Sequence, residues 1–317
     1  MRVAVVGMGA LGTVYACLLK ERGHEVVGVD RPQVIDAVGK SGLRVTGIWG
    51  EHAQALDALV SGVEQLAGRE LDVVVVTVKS FDTAAVSQEL ARVIAPETLV
   101  VLAQNGYGNF EAAAASIPPR QLVLARVIFG SETLAAGASK VTVIADDVIL
   151  GSPANLIPGE RLEQLAAECS AAGIPTRVSD QVLRYVWGKI IYNSALNSLG
   201  AILEVPYGRL AEGEDSRALM DAIVREIFAV LSAMGEQTLW PDAEAYLEAF
   251  YGSMVPSTAQ HHASMLQDIQ RGRRTEIEAL NGAVVRLGRT HGVPTPVNEV
   301  VTRLVRAKER LRAEALA

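Results

Sequence analysis

The chain has 317 residues, of which 50% are hydrophobic and 21% are charged, with a formal net charge of −7. This length favours two domains, and this composition excludes a disordered chain. The acidic balance argues against a nucleic-acid partner, whose phosphates attract a basic surface. The apolar runs are shorter than the roughly 18 to 20 residues that span a bilayer, and the first one is too short for a signal peptide, so we expect a cytoplasmic protein without a membrane segment.

The first 130 residues alternate short β-branched runs with helical stretches, which is typical of a parallel sheet with crossover helices. The predicted strands are 2–6, 25–29, 73–78, 99–103 and 122–128. The predicted helices are 10–22, 81–94 and 108–116. Segment 139–151 predicts two strands about a tight turn, added antiparallel at the sheet edge. A helix over 159–172 and a strand in GIPTRV, at 173–178, follow.

From about residue 180, amphipathic helices dominate to the end of the chain, with prolines as breaks between them. We predict an all-helical second domain of five or more helices. The last amphipathic stretch, from about 299, is expected to pack on its own domain.

A glycine-rich turn follows the first predicted strand, in VAVVGMGALGTVYA. Gly7 permits the tight turn, Gly9 lets the backbone approach a pyrophosphate, and Gly12 lets the next helix pack close to the strand. The first helical residues, Ala10 and Leu11, offer backbone N–H groups to the diphosphate. In this strand, turn and helix context the motif predicts a dinucleotide cofactor, against the alternative of a turn that binds nothing.

The fold class is therefore α/β. We predict a Rossmann-type, doubly wound parallel sheet over 1–179, followed by an all-helical domain over 180–317 that holds the substrate.

The second predicted strand ends at Asp30, eighteen residues beyond Gly12, where a carboxylate would bind the ribose hydroxyls of NAD. Arg31 follows immediately and can clamp the 2′-phosphate of NADP, which Asp30 would repel. The two residues therefore favour opposite cofactors.

Lys79 and Asn105 follow two later predicted strands, at the sheet edge where such folds bind ligands. A lysine at the end of a buried strand is unusual, so we expect a cofactor or substrate role for Lys79. Asn105 with Gly106 is also a plain turn signal. A ligand-binding role and a simple turn are therefore both open interpretations of Asn105.

A polar stripe runs along KIIYNSALN, where Lys189, Asn193 and Asn197 recur at an interval of four on one helix face. A solvent-facing edge is one interpretation. Val186 and Ile190 fall on the same arc, however, and apolar neighbours favour a pocket wall.

The segment SMLQDIQRGRRTEIEALNG, at 264–282, holds further candidates. Thr275 and Glu278 have the spacing of a capping box and predict a helix start, which leaves Glu276 unexplained.

Within the same segment, Ser264 and Asp268 are four apart on a predicted helix. We expect Asp268 to form an ion pair with Arg271 or Arg273.

The two cysteines, Cys17 and Cys169, fall within predicted helices with no CxxC spacing, and the five histidines are scattered. We expect both thiols to be buried, and we predict neither a metal site nor a disulfide.

With these motifs in order, the chain resembles the ketopantoate reductase (2-dehydropantoate 2-reductase) family over nearly its whole length. The most specific parts are GMGALG, VKS, QNG, KIIYNSALNSLGAI and SMLQDIQRGRRTEIEALNG. The resemblance implies NADPH-dependent reduction of the small 2-oxo acid 2-dehydropantoate to pantoate, for pantothenate biosynthesis, and a homodimer is plausible on the same ground.

By this resemblance, Lys189 is the general acid and Glu276 is a catalytic carboxylate that orients the substrate. The implied substrate ligands are Asn105, Asn193, Asn197 and Ser264. The implied cofactor residues, beyond the glycine turn, are Arg31 and Lys79, with Asn105 beside them. Asp30 departs from the family pattern, where a neutral residue is common, so NADH also stays open as the cofactor.

The chemistry of these side chains agrees with the implied roles. A hydride that reaches a ketone carbon moves negative charge onto the oxygen, and a lysine can give that oxygen a hydrogen bond and a proton. Asparagine amides can hold a hydroxyl or carboxylate without adding another titrating group.

Two alternatives to this activity stay open. One is a reductase of a bulky or aromatic 2-oxo acid, with Tyr107, Tyr246, Tyr251 or Trp240 shaping the pocket. The other is a non-catalytic protein that senses NADP.

Overall fold

The computed structural model describes residues 1–316. Contacts between Cα atoms divide the chain into two compact units. The first unit holds residues 1–104 and 109–182, and the second holds residues 105–108 together with the described chain from 183 onward. The short segment 105–108 therefore belongs to the second unit although its neighbours in sequence belong to the first.

The first unit contains twelve strands in two sheets. They are β1 (Arg2–Val6), β2 (Glu25–Val29), β3 (Leu43–Gly47), β4 (His52–Gln54), β5 (Ala58–Val60), β6 (Val73–Val76), β7 (Leu99–Leu102), β8 (Leu122–Arg126), β9 (Phe129–Ala135), β10 (Ala138–Ile144), β11 (Val148–Gly151) and β12 (Thr176–Val178). Its helices are α1 (Ala10–Glu21), α2 (Pro32–Ser41), α3 (Thr83–Leu90), α4 (Asn109–Ala114) and α5 (Gly159–Ala171).

The larger sheet has eight strands in the order β12-β11-β8-β7-β6-β1-β2-β5. Its neighbouring strands are parallel except for β8 and β11. The chain runs outward from β1 in both directions, which is the doubly wound arrangement that the sequence predicts. Strands β6 and β7 are buried along their whole length, as expected for apolar runs covered on both faces.

A second sheet, in the order β4-β3-β10-β9, contacts α1 through all four of its strands. Helix α1 therefore packs against strands of both sheets, and all residues from Gly12 to Leu19 are buried. A helix that is buried all round reads as apolar on every face, as this one does.

The predicted pair of strands in 139–151 forms, but not as a hairpin. Strand β11 adds antiparallel to β8 of the larger sheet, whereas β10 pairs with β9 and β3 of the smaller one. Strand β11 is buried at all four positions and suits a sheet interior, while β10 alternates and suits a sheet with one covered face. Strands β3, β4, β5 and β9 and helix α2 are not among the elements predicted from the sequence.

The second unit is helical. Its helices are α6 (Val182–Leu203), α7 (Tyr207–Glu212), α8 (Glu214–Met234), α9 (Ala243–Ala249), α10 (Val255–Ser257), α11 (Ser264–Gln270), α12 (Asn281–His291) and α13 (Pro296–Leu316). No strand lies within 183–316, which confirms the predicted all-helical character. Helix α13 packs on α8, α11 and α12 and buries Val301 and Val305, so it packs within its own unit as expected.

Cys17 lies in α1 and Cys169 in α5, and both thiols are free and buried. Over the described residues, no group of three or more His, Cys, Asp or Glu side chains could hold a metal ion. The same residues contain no helix whose length and hydropathy would let it cross a bilayer.

Candidate active site

The glycine turn lies between β1 and α1, and its three glycines have different surroundings. At Gly7, whose φ is +99°, a Cβ would lie 2.8 Å from the Val78 nitrogen. At Gly12, a Cβ would lie 1.9 Å from the Gly7 oxygen. At Gly9, which is exposed, a Cβ would meet nothing within 4 Å. Packing therefore requires Gly7 and Gly12, whereas Gly9 leaves an open face over the turn.

The turn is held in place by hydroxyl groups. Thr77, just after β6, donates to the Gly7 oxygen at 2.5 Å and to the Val6 oxygen at 3.2 Å. Helix α1 then begins without a side-chain cap at Gly9 and without an acidic residue in its first turn. A helix start that offers backbone N–H groups and has no acidic residue in its own first turn fits a phosphate.

Asp30 has two backbone partners in this region. Its Oδ2 accepts from the Met8 nitrogen at 2.6 Å, and its Oδ1 accepts from the Arg31 nitrogen at 2.7 Å. The Asp30 side chain is only 15% exposed, whereas the Arg31 side chain is 80% exposed. Asp30 thus stabilises the glycine turn, and the exposed Arg31 guanidinium lies beside the same carboxylate, with its Nε 3.7 Å from the Asp30 Oδ1.

Lys79 is half-buried and directly precedes a 3-10 turn at Ser80–Asp82, whose Asp82 nitrogen donates to the Lys79 oxygen at 2.9 Å. It lies beyond the carboxyl end of β6, as the sequence analysis placed it. Its cofactor role stays a prediction.

In the helical unit, Asn105 joins the two ionisable candidates. The Lys189 Nζ donates to the Asn105 Oδ1 at 2.6 Å, and the Asn105 Nδ2 donates to the Glu276 Oε2 at 3.2 Å. All three residues are half-buried. The Asn105 amide oxygen thus accepts from the ammonium, and its nitrogen donates to the carboxylate. One amide side chain therefore fixes both charged groups.

The backbone around Asn105 is fixed as well. Gly106 has a φ of +88°, and a Cβ there would lie 2.5 Å from the Ala279 oxygen. The Tyr107 nitrogen donates to that same oxygen at 2.8 Å, and the Tyr107 ring stacks on Trp187 with centroids 5.1 Å apart. Asn105 therefore does lie in a turn, and this turn holds its side chain between Lys189 and Glu276.

The polar stripe lies on α6, as the spacing predicts. Lys189 and Asn193 are half-buried, and Asn197 is 5% exposed. The Asn197 Nδ2 donates to the Ser264 Oγ at 3.0 Å, and its Oδ1 accepts from the Met265 nitrogen at 3.0 Å. Asn197 therefore attaches the first turn of α11 to α6 and brings Ser264 to the stripe.

The capping-box prediction is wrong. Residues Ile277–Ala279 form a 3-10 turn, and α12 begins only at Asn281. The Thr275 hydroxyl accepts from the Ile277 nitrogen at 3.3 Å, but the Glu278 carboxylate turns to Arg306, whose Nη2 lies 2.7 Å away. The ion pair of Glu278 outcompetes a reciprocal cap.

Asp268 is 8% exposed in α11. Its backbone oxygen accepts from the Arg271 and Arg273 nitrogens at 3.2 and 2.8 Å. The predicted side-chain ion pair stays a prediction.

Two of the aromatic residues considered for the pocket, Tyr246 and Trp240, support the helix that carries Lys189. The buried Tyr246 donates from its hydroxyl to the Gly188 oxygen at 3.2 Å, and Trp240 packs edge-on against Tyr246 with centroids 4.9 Å apart. A Cβ on Gly188 would lie 2.9 Å from the Trp240 ring. This role of Gly188 was not predicted, because no local sequence pattern distinguishes a helical glycine that contacts a distant ring from any other.

Burial raises the pKa of the nearby phenol of Tyr192 to about 12. Its hydroxyl forms a 2.6 Å hydrogen bond with the Thr258 Oγ1. Tyr192 therefore stays protonated around neutral pH and adds no charge near Lys189.

Two family models match the chain. The model for ketopantoate reductase PanE/ApbA matches residues 3–155, and the model for the C-terminal part of that family matches residues 181–309.

Named relatives match over nearly their full lengths. A 2-dehydropantoate 2-reductase of Aquifex aeolicus is 41% identical over 309 residues, which cover 98% of this chain and 97% of the relative. A 2-dehydropantoate 2-reductase of Archaeoglobus fulgidus is 31% identical, with coverage of 97% and 98%.

Solved structures agree. A PanE/ApbA family ketopantoate reductase from Ralstonia eutropha has a TM-score of 0.87 at 32% identity, covering 98% of this chain and 99% of its own. A D-mandelate dehydrogenase with NADH and anilino(oxo)acetate has a TM-score of 0.87 at 25% identity, with the same coverage.

Proposed function

Because this chain belongs to the ketopantoate reductase family, we propose that it reduces 2-dehydropantoate to pantoate with NADPH as the hydride donor. The observation that carries the proposal is the bonded series of Lys189, Asn105 and Glu276. It combines a proton donor, a fixed amide and a carboxylate within one unit. A protein that only sensed a nucleotide would have no use for this set.

Lys189 acts on the ketone oxygen in the proposed reaction. When bound, NADPH would supply a hydride to the ketone carbon, and the negative charge that develops on the oxygen would need stabilisation and a proton. The Lys189 ammonium donates a hydrogen bond to that oxygen and then the proton. Asn105 limits the positions of the ammonium through its 2.6 Å bond, so the donor is oriented before the substrate arrives.

Glu276 and the amides orient the substrate. 2-Dehydropantoate carries a hydroxyl and a carboxylate besides its ketone, and the Glu276 carboxylate is suited to accept from the hydroxyl. Asn193 and Ser264 offer neutral donors for the carboxylate, and the buried Asn197 takes part by holding Ser264. The attachment of Ser264 to Asn197 keeps these donors on one side of α6.

The glycine turn and Arg31 are proposed to hold the cofactor. The open face at Gly9 and the uncapped start of α1 suit the diphosphate. We infer a preference for NADPH because the Asp30 carboxylate already accepts from two backbone amides. The Arg31 guanidinium is 80% exposed and is paired with Asp30 only at a long 3.7 Å, so it can turn to a 2′-phosphate.

Substitution of Arg31 tests this cofactor preference. Arg31→Ala should weaken NADPH binding by roughly tenfold or more and change NADH binding little, since only NADPH carries the 2′-phosphate. Arg22→Ala is the matched control, because Arg22 is an exposed arginine at the opposite end of α1. Equal weakening of both cofactors would assign Arg31 to adenine stacking and leave Asp30 to set a preference for NADH.

A second candidate is the reduction of a bulky or aromatic 2-oxo acid. The similarity to D-mandelate dehydrogenase with NADH and anilino(oxo)acetate favours it. The same Lys189 chemistry would apply, with a different pocket for the side chain of the substrate.

A substrate panel separates the two candidates. NADPH and NADH oxidation are followed with 2-dehydropantoate and with branched and aromatic 2-oxo acids. A kcat/KM for 2-dehydropantoate with NADPH well above all other pairs is the expected result. A higher value for an aromatic acid would favour the second candidate, and cofactor binding without turnover of any acid would contradict both.

A further inference from the structure

We propose that Asn281 is a positioning residue, which fixes the helix that carries Lys189 relative to the turn that carries Glu276. The inference rests on the proposed function of these two side chains. The network that carries it is made of buried amides within the helical unit.

Asn281 is the first residue of α12 and is fully buried. Its Nδ2 donates to the Ser194 oxygen of α6 at 3.1 Å and to the Asn298 Oδ1 at 3.0 Å. One amide group therefore joins α6 and α13 to the start of α12.

Asn298 continues the network and is also fully buried. Its Nδ2 donates to the Glu226 Oε2 at 2.7 Å, and its backbone nitrogen donates to the same oxygen at 3.0 Å. The Glu226 Oε1 accepts from the Val297 nitrogen at 2.8 Å. Glu226, on α8, thus holds the start of α13 and fixes the side chain of Asn298, the hydrogen-bond partner of Asn281.

The network reaches the proposed site through short, stiff segments. Glu276 lies five residues before Asn281, across a 3-10 turn in which the Ala279 nitrogen donates to the Glu276 oxygen at 3.0 Å. Lys189 lies five residues before Ser194 on the same helix, α6. The Asn281 amide therefore links α6 to the start of α12. The linked positions each lie five residues after Lys189 or Glu276, the pair that Asn105 bridges.

A purely structural role explains this choice of residue poorly. The Asn281 Oδ1 is buried and has no hydrogen-bond partner among residues 1–316. A buried acceptor left in this state costs about 1–3 kcal/mol, which offsets much of what the two bonds from the Asn281 Nδ2 contribute to stability. Buried amides specify one arrangement of neighbouring segments, and a misplacement of about 1 Å at a reacting group can cost roughly a hundredfold in rate.

The test compares Asn281→Ala with Ser198→Ala. Ser198 is the matched control because its Oγ donates to the same Ser194 oxygen, at 2.5 Å, but makes this bond within α6. Each variant removes one bond from that oxygen, and only Asn281→Ala releases the segment that carries Glu276. We expect kcat/KM for 2-dehydropantoate to fall roughly 10- to 100-fold in Asn281→Ala and less than about threefold in Ser198→Ala.

A second substrate distinguishes positioning from a general loss of structure. 3,3-Dimethyl-2-oxobutanoate differs from 2-dehydropantoate only in the hydroxyl that Glu276 is proposed to orient. If Asn281 acts through Glu276, Asn281→Ala should lower kcat/KM for this analogue at least several-fold less than for 2-dehydropantoate, with NADPH affinity unchanged. Asn281→Ser, which keeps a short donor, provides the same comparison if the alanine variant does not fold.

The possible results distinguish a failure of the positioning role of Asn281 from a failure of the proposed function. Equal losses with both substrates, or losses that match those of Ser198→Ala, would overturn the positioning role of Asn281. A wild-type enzyme that does not reduce 2-dehydropantoate would instead overturn the proposed function.

Discussion

Asn105→Ala removes the amide between Lys189 and Glu276 and leaves the fold of its turn intact. The bonds at 2.6 Å and 3.2 Å both involve a charged group, and such bonds contribute about 1.5–3 kcal/mol each. Part of this is recovered, because the ammonium and the carboxylate attract one another once the amide is gone. We therefore expect a loss of about 2–3 kcal/mol in transition-state stabilisation, which is roughly a 30- to 150-fold fall in kcat/KM.

Steady-state kinetics with 2-dehydropantoate and NADPH measure this loss, and thermal unfolding checks that the variant folds. The docking of Tyr107 on Trp187 and the backbone bond to Ala279 do not involve the Asn105 side chain, so stability should change little. Gln237→Ala, which removes an exposed amide in the same unit, is the control. A folded Asn105→Ala enzyme within threefold of wild type would refute the bridging role.

Three further variants test the site and its supports. Lys189→Ala should lower kcat by roughly 10² to 10⁴, about 3 to 5 kcal/mol, with cofactor affinity nearly unchanged, as measured by turnover and nucleotide titration. Gly188→Ala places a Cβ 2.9 Å from the Trp240 ring and should lower both kcat and the melting temperature, and the smaller ring of Trp240→Phe should restore most of the loss in the double variant. The hydrogen bond from Arg306 holds the pKa of Glu278 below its ordinary value, so this stabilisation is present above pH about 4.3 and is lost as the pH falls through the lower folded-state pKa. In denaturant unfolding over a pH series, the free energy of unfolding should therefore fall less steeply with decreasing pH for Glu278→Gln than for wild type.

The sheet could be predicted because its signals are local. Strands β1, β6 and β7 are short runs of apolar residues that alternate with helices, and the glycine turn follows the first of them. The pairing of β10 and β11 with different sheets was not predictable from the segment itself, because their partners lie elsewhere in the chain. Strands of three residues, such as β4 and β5, are too short to show a period.

The same division applies to the candidate site. An interval of four places Lys189, Asn193 and Asn197 on one face because helix geometry converts spacing into direction. The bonds that Asn105 makes to Lys189 and Glu276 span 84 and 171 positions, so no local pattern encodes them. Without the structure, only the family resemblance indicates that Lys189, Asn105 and Glu276 belong to one site.

Residues 105–108 belong to the helical unit, although the chain on either side of them belongs to the first unit. A recombination point placed near residue 182 would therefore separate Asn105 from Lys189, even between two active relatives. A chimera with a foreign helical half should regain activity when segment 105–108 is exchanged together with it. Substitutions at Tyr107 should likewise be tolerated best when Trp187 changes with them. The residues that must be exchanged together to keep this site are therefore not contiguous in the sequence.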